Sequence, residues 1–408
     1  MIPVEQALEM VLAEATTLPF EDVALEEALG RVLAQGIHAD ADLPPFDRSA
    51  MDGYALRAED VQQVPTSLRV AGQIRAGQPA DRPLLPGTAI QIMTGAPLPT
   101  GANAVQQVEK TRASADGRQV EVREAVTSGQ NVARRGSEVR AGDGVIEGGR
   151  IVDPATLAVL AAVGQARVLV GRRPRIAIAV TGDELVSVSE TPAPGRIRNS
   201  NGPAILAQAR LVGADARSLG VVPDDADRIG AAVREGLKDD VLVFSGGVSA
   251  GAFDLVEAAL EANGVRLLFT GVAIKPGAPL VFARHADTLV FGLPGNPVSA
   301  QVTFDLFVRP ALLRLQGAKT VALPTVDAEL FATVKNRSGR RAHLPVHLRF
   351  EGRRFVARPL RSMGSADLVA HARANALVVL DAERMQAEAG ERAPALLLGN
   401  FLDRSGSE

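Results

Sequence analysis

Two glycine-rich turns, each set where an apolar run gives way to a helical pattern, constrain this chain more than any other feature. Ser245-Gly246-Gly247-Val248-Ser249-Ala250-Gly251 follows Val241-Leu242-Val243-Phe244, and Gly292-Leu293-Pro294-Gly295-Asn296-Pro297 follows Thr288-Leu289-Val290-Phe291. Glycine at such points lets backbone N–H groups approach an anion at a helix N-terminus. Around the turns the residues alternate in kind. Arg175–Thr181, Asp215–Val222, Val241–Ser245 and Thr288–Phe291 read as strands, and Ala204–Leu211, Ala226–Gly236, Leu255–Ala262 and Val298–Leu315 as helices. That alternation predicts a mostly parallel sheet with helices on both faces, an α/β domain over 173–320.

The flanking segments have other periods. Val4–Ala15 carries the spacing of an amphipathic helix, and Leu25–Leu33 reads as a further helical turn or two. With 140–172, residues 1–40 are expected to form a discontinuous helical linker domain. Over 41–139 short β-rich runs (Ser67–Ala71, Thr88–Met93, Ala104–Val108, Gln119–Arg123) are punctuated by Gly and Pro, which predicts a β-rich module. Gly144–Ile146 is a further run of this kind. After Pro324 come Ala328–Val334, Leu344–Phe350, Phe355–Pro359 and Ala376–Leu380, a small β-barrel or sandwich over 321–402. The fold class expected is therefore a multi-domain chain of α/β and β parts.

Composition excludes several functions. The chain has 408 residues, enough for two to four domains, and its net charge is −3 without a Lys/Arg block, which argues against a nucleic-acid partner. It has no Cys, so disulfides, thiolate metal sites and Cys nucleophiles are out. The apolar stretch 157–170 is too short to span a bilayer, and the N-terminus lacks a signal-peptide pattern. A soluble, cytoplasmic protein without membrane association is expected.

In a parallel sheet, ligands bind at the carboxyl ends of the strands. Four segments fall there: Thr181-Gly182-Asp183-Glu184-Leu185, Pro223-Asp224-Asp225 and the two glycine-rich turns. Each alone reads more often as a mere turn; four at one edge read as a site. Ser245 and Ser249 offer hydroxyls, and Gly246 and Gly247 permit close backbone approach. Asp254 reads two ways, as a helix N-cap or as a ligand of a Mg²⁺ ion lying between it and a phosphate. Asn296 suits an N-cap and Pro297 the first helical position. Lys275, before the rigid Pro276-Gly277 turn, is either a point charge for an oxyanion or a surface lysine. His343 and His347 are four apart, but Pro345 between them argues against a helical metal pair. The segment from Pro44 to Ala55 packs a Pro pair, two Asp, an Arg and the one Tyr into twelve residues, and is read as a binding turn or a domain linker.

Eight segments in order resemble one family. They are PPFDRSAMDGYAL (44–56), IMTGAPLPTGANAV (92–105), GQNVARRGSEV (129–139), TGDEL (181–185), RIRNSNGPAI (196–205), SGGVSAGAFDLV (245–256), IKPGAPL (274–280) and GLPGNPVSA (292–300). Together they are similar to the molybdopterin molybdenumtransferase family, which includes MoeA and the E domain of gephyrin. The resemblance implies insertion of molybdate into adenylylated molybdopterin with release of AMP, assisted by Mg²⁺. It implies a homodimer of four-domain subunits, with a MogA-like α/β domain akin to the adenylyltransferase that makes the substrate, a protein with which transient contact is expected. The active site is then expected between that domain and the partner's β-rich module.

Carried over by position, Asp52 and Thr94 match residues facing the partner's cleft. Glu184, Asp224 and Asp254 match acids around pterin, phosphate and cation, with Asp224 and Asp254 as metal ligands. Ser245, Gly246, Gly247 and Ser249 match the phosphate loop, and Pro294, Gly295 and Asn296 join them in substrate binding. Lys275 matches a basic residue at the oxyanion site, where Arg341 and Ser365 match an Arg and a Ser near molybdate. Asp52, Asp224, Asp254 and Lys275 are the expected catalytic set. The family usually carries lysines where this chain has Ala278 and Gly271. That departure motivates a second reading, a paralogue that binds molybdopterin or its adenylate without insertion; compensation by Arg340 or Arg341 is the alternative. A non-catalytic scaffold lacks support from any long linker, and a dinucleotide-dependent dehydrogenase fails because Thr181-Gly182-Asp183 stands where Gly-x-Gly-x-x-Gly is required.

Overall fold

The computed structural model describes residues 1–246 and 253–399. They divide into two compact units, one of residues 1–35, 148–154, 167–246 and 253–399, the other of 36–147 and 155–166.

In the first unit a six-stranded sheet runs in the order Asp215–Val222, Arg175–Thr181, Val241–Ser245, Thr288–Leu293, Val281–His285, Arg266–Thr270. The first four strands are parallel, as the alternation predicts. The pleat sorts their side chains by a period of two. Ile176, Ile178, Val241, Val243, Leu289 and Phe291 pack against helices Asn201–Leu211, Pro297–Thr303 and Arg309–Leu315. Ala177, Ala179, Leu242, Phe244 and Val290 pack on the other face against Ala226–Gly236 and Phe253–Ala262. Both faces being covered, Val241–Ser245 is buried throughout, which is why it reads as a continuous apolar run.

Four expectations need correction. Two further strands, Arg266–Thr270 and Val281–His285, complete the sheet in antiparallel fashion. Phe269, Phe282 and Phe291 stack across them, with ring centroids 5.6 and 5.0 Å apart. The expected helix 298–315 is interrupted by a π-helical turn, Phe304–Val308, before Arg309–Leu315 resumes. Pro310 has no N–H to give and its ring crowds the preceding turn, a recognised cause of such an irregularity. Leu25–Leu33 holds only the 3₁₀ turn Leu25–Glu27. Beyond it Gly30 takes φ +74°, and Val32 and Leu33 form bridges to Ile151 and Val170. Ala328–Val334 divides into Thr325–Leu330 and Val334–Lys335.

The C-terminal part of this unit is a closed barrel. Arg341–Glu351, Arg354–Pro359, Thr325–Leu330, Arg392–Leu397 and Ala376–Leu380 pair in turn, and the last returns to the first. Closure removes the sheet edges. A sixth segment, Ile274–Lys275, comes from the α/β part and pairs in parallel with the barrel's longest strand, Ile274 opposite Arg341 and Lys275 opposite Ala342. The N-terminal helix, Val4–Glu14, buries Ala7 and Val11.

The second unit is built on a six-stranded sheet ordered Ala104–Gln107, Gly53–Leu56, Thr88–Ile92, Thr66–Ile74, Gln119–Val122, Thr111–Ala113. Gly53–Leu56 is buried along its whole length. It needs glycine at its start, because a Cβ there would lie 1.9 Å from the Gln106 carbonyl oxygen. The short pair Arg48–Ser49 and Val132–Ala133 joins the segment 44–56 to the segment 129–139. Among the described residues of the chain, no helix is long and apolar enough to cross a membrane.

Candidate active site

The strands Arg175–Thr181 and Val241–Ser245 end side by side, and Gly246 follows the second of them. Its φ is +107°, and a Cβ there would sit 2.0 Å from the Thr181 carbonyl oxygen, so only glycine fits. Above this edge lies a cavity of about 660 Å³ whose walls include Thr181, Glu184, Asn201, Gly246, Gly295 and Asn296. The Thr181 hydroxyl is buried with no partner among the described residues.

Asn201, the first residue of its helix, is buried and reaches across this edge. Its Nδ2 donates to Ser245 Oγ at 2.9 Å and to the Gly295 carbonyl at 2.8 Å. Ser245 Oγ in turn donates to the Pro294 carbonyl at 3.2 Å. Asn296 holds the N-cap position and Pro297 follows it at the helix start, as expected, yet the Asn296 side chain makes no capping bond. Its Nδ2 donates instead to Ser365 Oγ at 2.9 Å, while Val298 N–H donates to the Ser365 carbonyl at 3.0 Å. The structure thus brings Ser245, Gly246, Pro294, Gly295, Asn296 and Ser365 to one edge, together with Glu184.

The acids beside this edge are sorted by local structure. Asp225 caps helix Ala226–Gly236, its carboxylate accepting from Arg228 N–H at 3.0 Å. Asp224 faces Asp183 instead, and the two exchange backbone-to-carboxylate bonds of 3.4 and 3.3 Å. Burial pushes the Asp224 carboxyl above its ordinary range; the Asp183 N–H opposes this, and the charges of Asp183 and Glu184 add to it. A cation placed there would relieve this crowding of negative charge. Hard oxygen donors of this kind suit a divalent cation, so Asp224 fits a Mg²⁺ ligand. Among the described residues no three His, Asp or Glu side chains converge into a complete metal site. Gly247 and Ser249 lie outside the described residues, as does the side chain of Asp254.

Lys275 is exposed and stands one position along from Arg341 on the neighbouring strand. Neither lines the cavity. Arg341 forms ion pairs with Glu5 and, at 3.5 Å, with Asp381. Gly271 has φ +82°, and a Cβ there would lie 3.3 Å from Met1 Cγ, while Ala278 is buried. His343 and His347 share one strand, not a helix; His343 is buried, and with its neighbour Arg341 this drops its pKa to about 3.

In the second unit Asp52 and Thr94 meet. The Thr94 N–H and hydroxyl both donate to Asp52 Oδ1, at 2.7 and 2.9 Å. These bonds hold the Asp52 carboxyl below its usual range. Around them Arg134 pairs with Asp47 at 2.7 Å and Arg48 with Glu138 at 3.0 Å, so three of the segments singled out in the sequence converge.

Sequence reasoning assigned no role to Asn201, Asn199 or Thr181. A signal was present: Asn199-Ser200-Asn201 places three capping-type residues at a helix start, more than one cap requires.

A parallel sheet with a cavity at its carboxyl edge, walled in part by Gly246 and by the turn 294–297, defines an α/β protein whose edge suits a small anionic ligand. Comparison with known proteins narrows the class. Residues 2–164 match the model of the MoeA N-terminal region (domain I and II), 177–314 that of a probable molybdopterin binding domain, and 327–398 that of the MoeA C-terminal region (domain IV). The chain is 35% identical to the molybdopterin molybdenumtransferase of Bacillus subtilis (strain 168), over 100% of this chain and 96% of that one. It is 40% identical to molybdopterin molybdenumtransferase 2 of Mycobacterium tuberculosis (strain CDC 1551 / Oshkosh), over 78% of this chain and 81% of that one. The crystal structure of the molybdopterin biosynthesis moeA protein from Pyrococcus horikoshii OT3 matches with a TM-score of 0.82 at 31% identity, covering 98% of this chain and 100% of that one. The chain belongs to the MoeA family of molybdopterin molybdenumtransferases.

Proposed function

We propose that this chain is a molybdopterin molybdenumtransferase, which inserts molybdate into adenylylated molybdopterin and releases AMP. The cavity of about 660 Å³ at the carboxyl edge of the sheet, held between the 245–246 and 294–297 turns, carries the reading. Backbone N–H groups at the helix starts and the Ser245–Gly246 turn supply fixed dipoles for phosphate oxygens. Glu184 lines the same cavity, and Ser365, tied to Asn296, brings the C-terminal part of the unit to its rim. Mg²⁺ held by Asp224 and Asp254 would neutralise charge on the adenylate anhydride as its bond breaks. Lys275 offers molybdate a point charge, with Arg341 beside it once released from Glu5 and Asp381. Asp52 and Thr94 act from the second subunit of a homodimer. Cytoplasmic location and transient contact with the molybdopterin adenylyltransferase complete the reading.

The test is molybdate-dependent AMP release from adenylylated molybdopterin in the presence of Mg²⁺. Asp254→Ala is expected to abolish it. The buried Ala278 and the left-handed Gly271 favour one competing reading, a paralogue without insertion activity, since neither position offers a cation. Tight binding of the substrate without AMP release would establish that reading.

A further inference from the structure

Asn201 is the first residue of its helix, one position past the cap, so its side chain is not the one that caps the helix. The cap position is Ser200, which makes no side-chain cap bond, and the Gly202 N–H is taken by Asn199 Oδ1 at 2.9 Å. The Asn201 carboxamide is thereby left for another task. It is 8% exposed and bonds two separate turns, through Ser245 Oγ and the Gly295 carbonyl. Those turns leave neighbouring parallel strands in register, Ser245 opposite Leu293. Beyond that last pair the sheet no longer holds them together. The bonds of Asn201, and that from Ser245 Oγ to the Pro294 carbonyl, span the gap.

We propose that Asn201 is a positioning residue for the transferase reaction: its carboxamide fixes the spacing of the Ser245–Gly246 and Pro294–Asn296 turns, so that both meet one substrate. The inference rests on the function proposed above. Asn201 acts through the backbone it holds and needs no contact with the reacting atoms. A shift of about 1 Å in such a backbone costs on the order of a hundredfold in rate when it carries the oxyanion contacts. Truncation removes two neutral hydrogen bonds within the protein, and their loss reaches substrate binding through the displaced turns.

Asn201→Ala removes both bonds. Asn201→Asp keeps the shape and can still accept from the Ser245 hydroxyl, but places an oxygen against the Gly295 carbonyl. The full-length protein is to be assayed for AMP release, with kcat and KM for adenylylated molybdopterin, for AMP affinity by calorimetry, and for Tm. For both variants kcat/KM is expected to fall on the order of tenfold or more, with AMP affinity weakened and Tm moved by only a few degrees. Adding Ser245→Ala to Asn201→Ala is expected to cost little further, because the two share one network, whereas adding Thr94→Ala costs its full separate amount. Kinetics within about twofold of wild type in both variants, or an additive effect with Ser245→Ala, overturns the proposal. If Asn201→Ala does not fold, Asn201→Asp decides alone. AMP affinity separates the two readings. A wild type that binds AMP without releasing it from the substrate defeats the transferase reading, while weaker AMP binding by Asn201→Asp still upholds positioning. Absence of both binding and turnover in the wild type overturns both.

Discussion

Asp52 shows how much of a site a single residue can announce. The sequence flags it in a dense turn, but its partner Thr94 is 42 positions away, and only the fold shows both Thr94 donors on one carboxylate oxygen. Thr94→Ala is expected to raise the Asp52 pKa toward the ordinary carboxylate range, an upward shift readable by carboxyl-carbon NMR titration. The Thr94 N–H bond survives this change, so an unmoved Asp52 would deny a role to the Thr94 hydroxyl alone. His343 is a second residue whose behaviour follows from burial. Its pKa of about 3 lies below the ordinary 6.5, so the unfolded chain takes up the proton first. Stability therefore falls as pH drops from 6.5 toward 3, by at most about 1.4 kcal/mol per pH unit from this group. His343→Leu is expected to lose less stability than wild type between pH 7 and about 4.5 in urea titrations. Asn201, by contrast, is neutral and sits in an ordinary helix start, so nothing in its residue type distinguishes a cap from a strut.

At the scale of elements, legibility follows how each segment is solvated. Asp215–Val222, Val241–Ser245 and Ala376–Leu380 are bounded by turns, and the structure returns the expected bounds for all three. Gly53–Leu56 escapes because it is buried on both faces and only four residues long. Arg266–Thr270 escapes because its exposed ends carry Arg and Thr around a short apolar centre, with no alternation to read. The antiparallel extension nonetheless contributes a large part of the core. Phe291 is fully buried and stacked on Phe282, so Phe291→Ala is expected to cost about 3–5 kcal/mol by denaturant midpoint. A loss below about 1 kcal/mol would mean that the sheet repacks freely.

For the whole molecule, the glycine turns and strand ends made the α/β site readable, because one rule places ligands at the carboxyl edge. The ties that complete that edge join residues as distant as Asn296 and Ser365, and no local pattern encodes them. The proposed homodimer makes its own prediction. Asp52→Ala and Asp224→Ala proteins, each inactive alone, are expected to regain part of the AMP-releasing activity when unfolded together and reassembled. A protein that sediments as a monomer at micromolar concentration, with no recovery on mixing, would count against a shared site.

The pairing of Ile274–Lys275 with the barrel bears on how this protein can be taken apart. A cut near residue 320 looks natural on the linear map, yet it runs through a seam. The released α/β fragment would carry Lys275 on a strand stripped of its neighbour, and the released barrel would show that neighbour's bare N–H and C=O groups to solvent or to another chain. Chimaeras that exchange the barrel between relatives therefore have to exchange the 274–275 strand with it, or inherit a mismatched join beside the lysine.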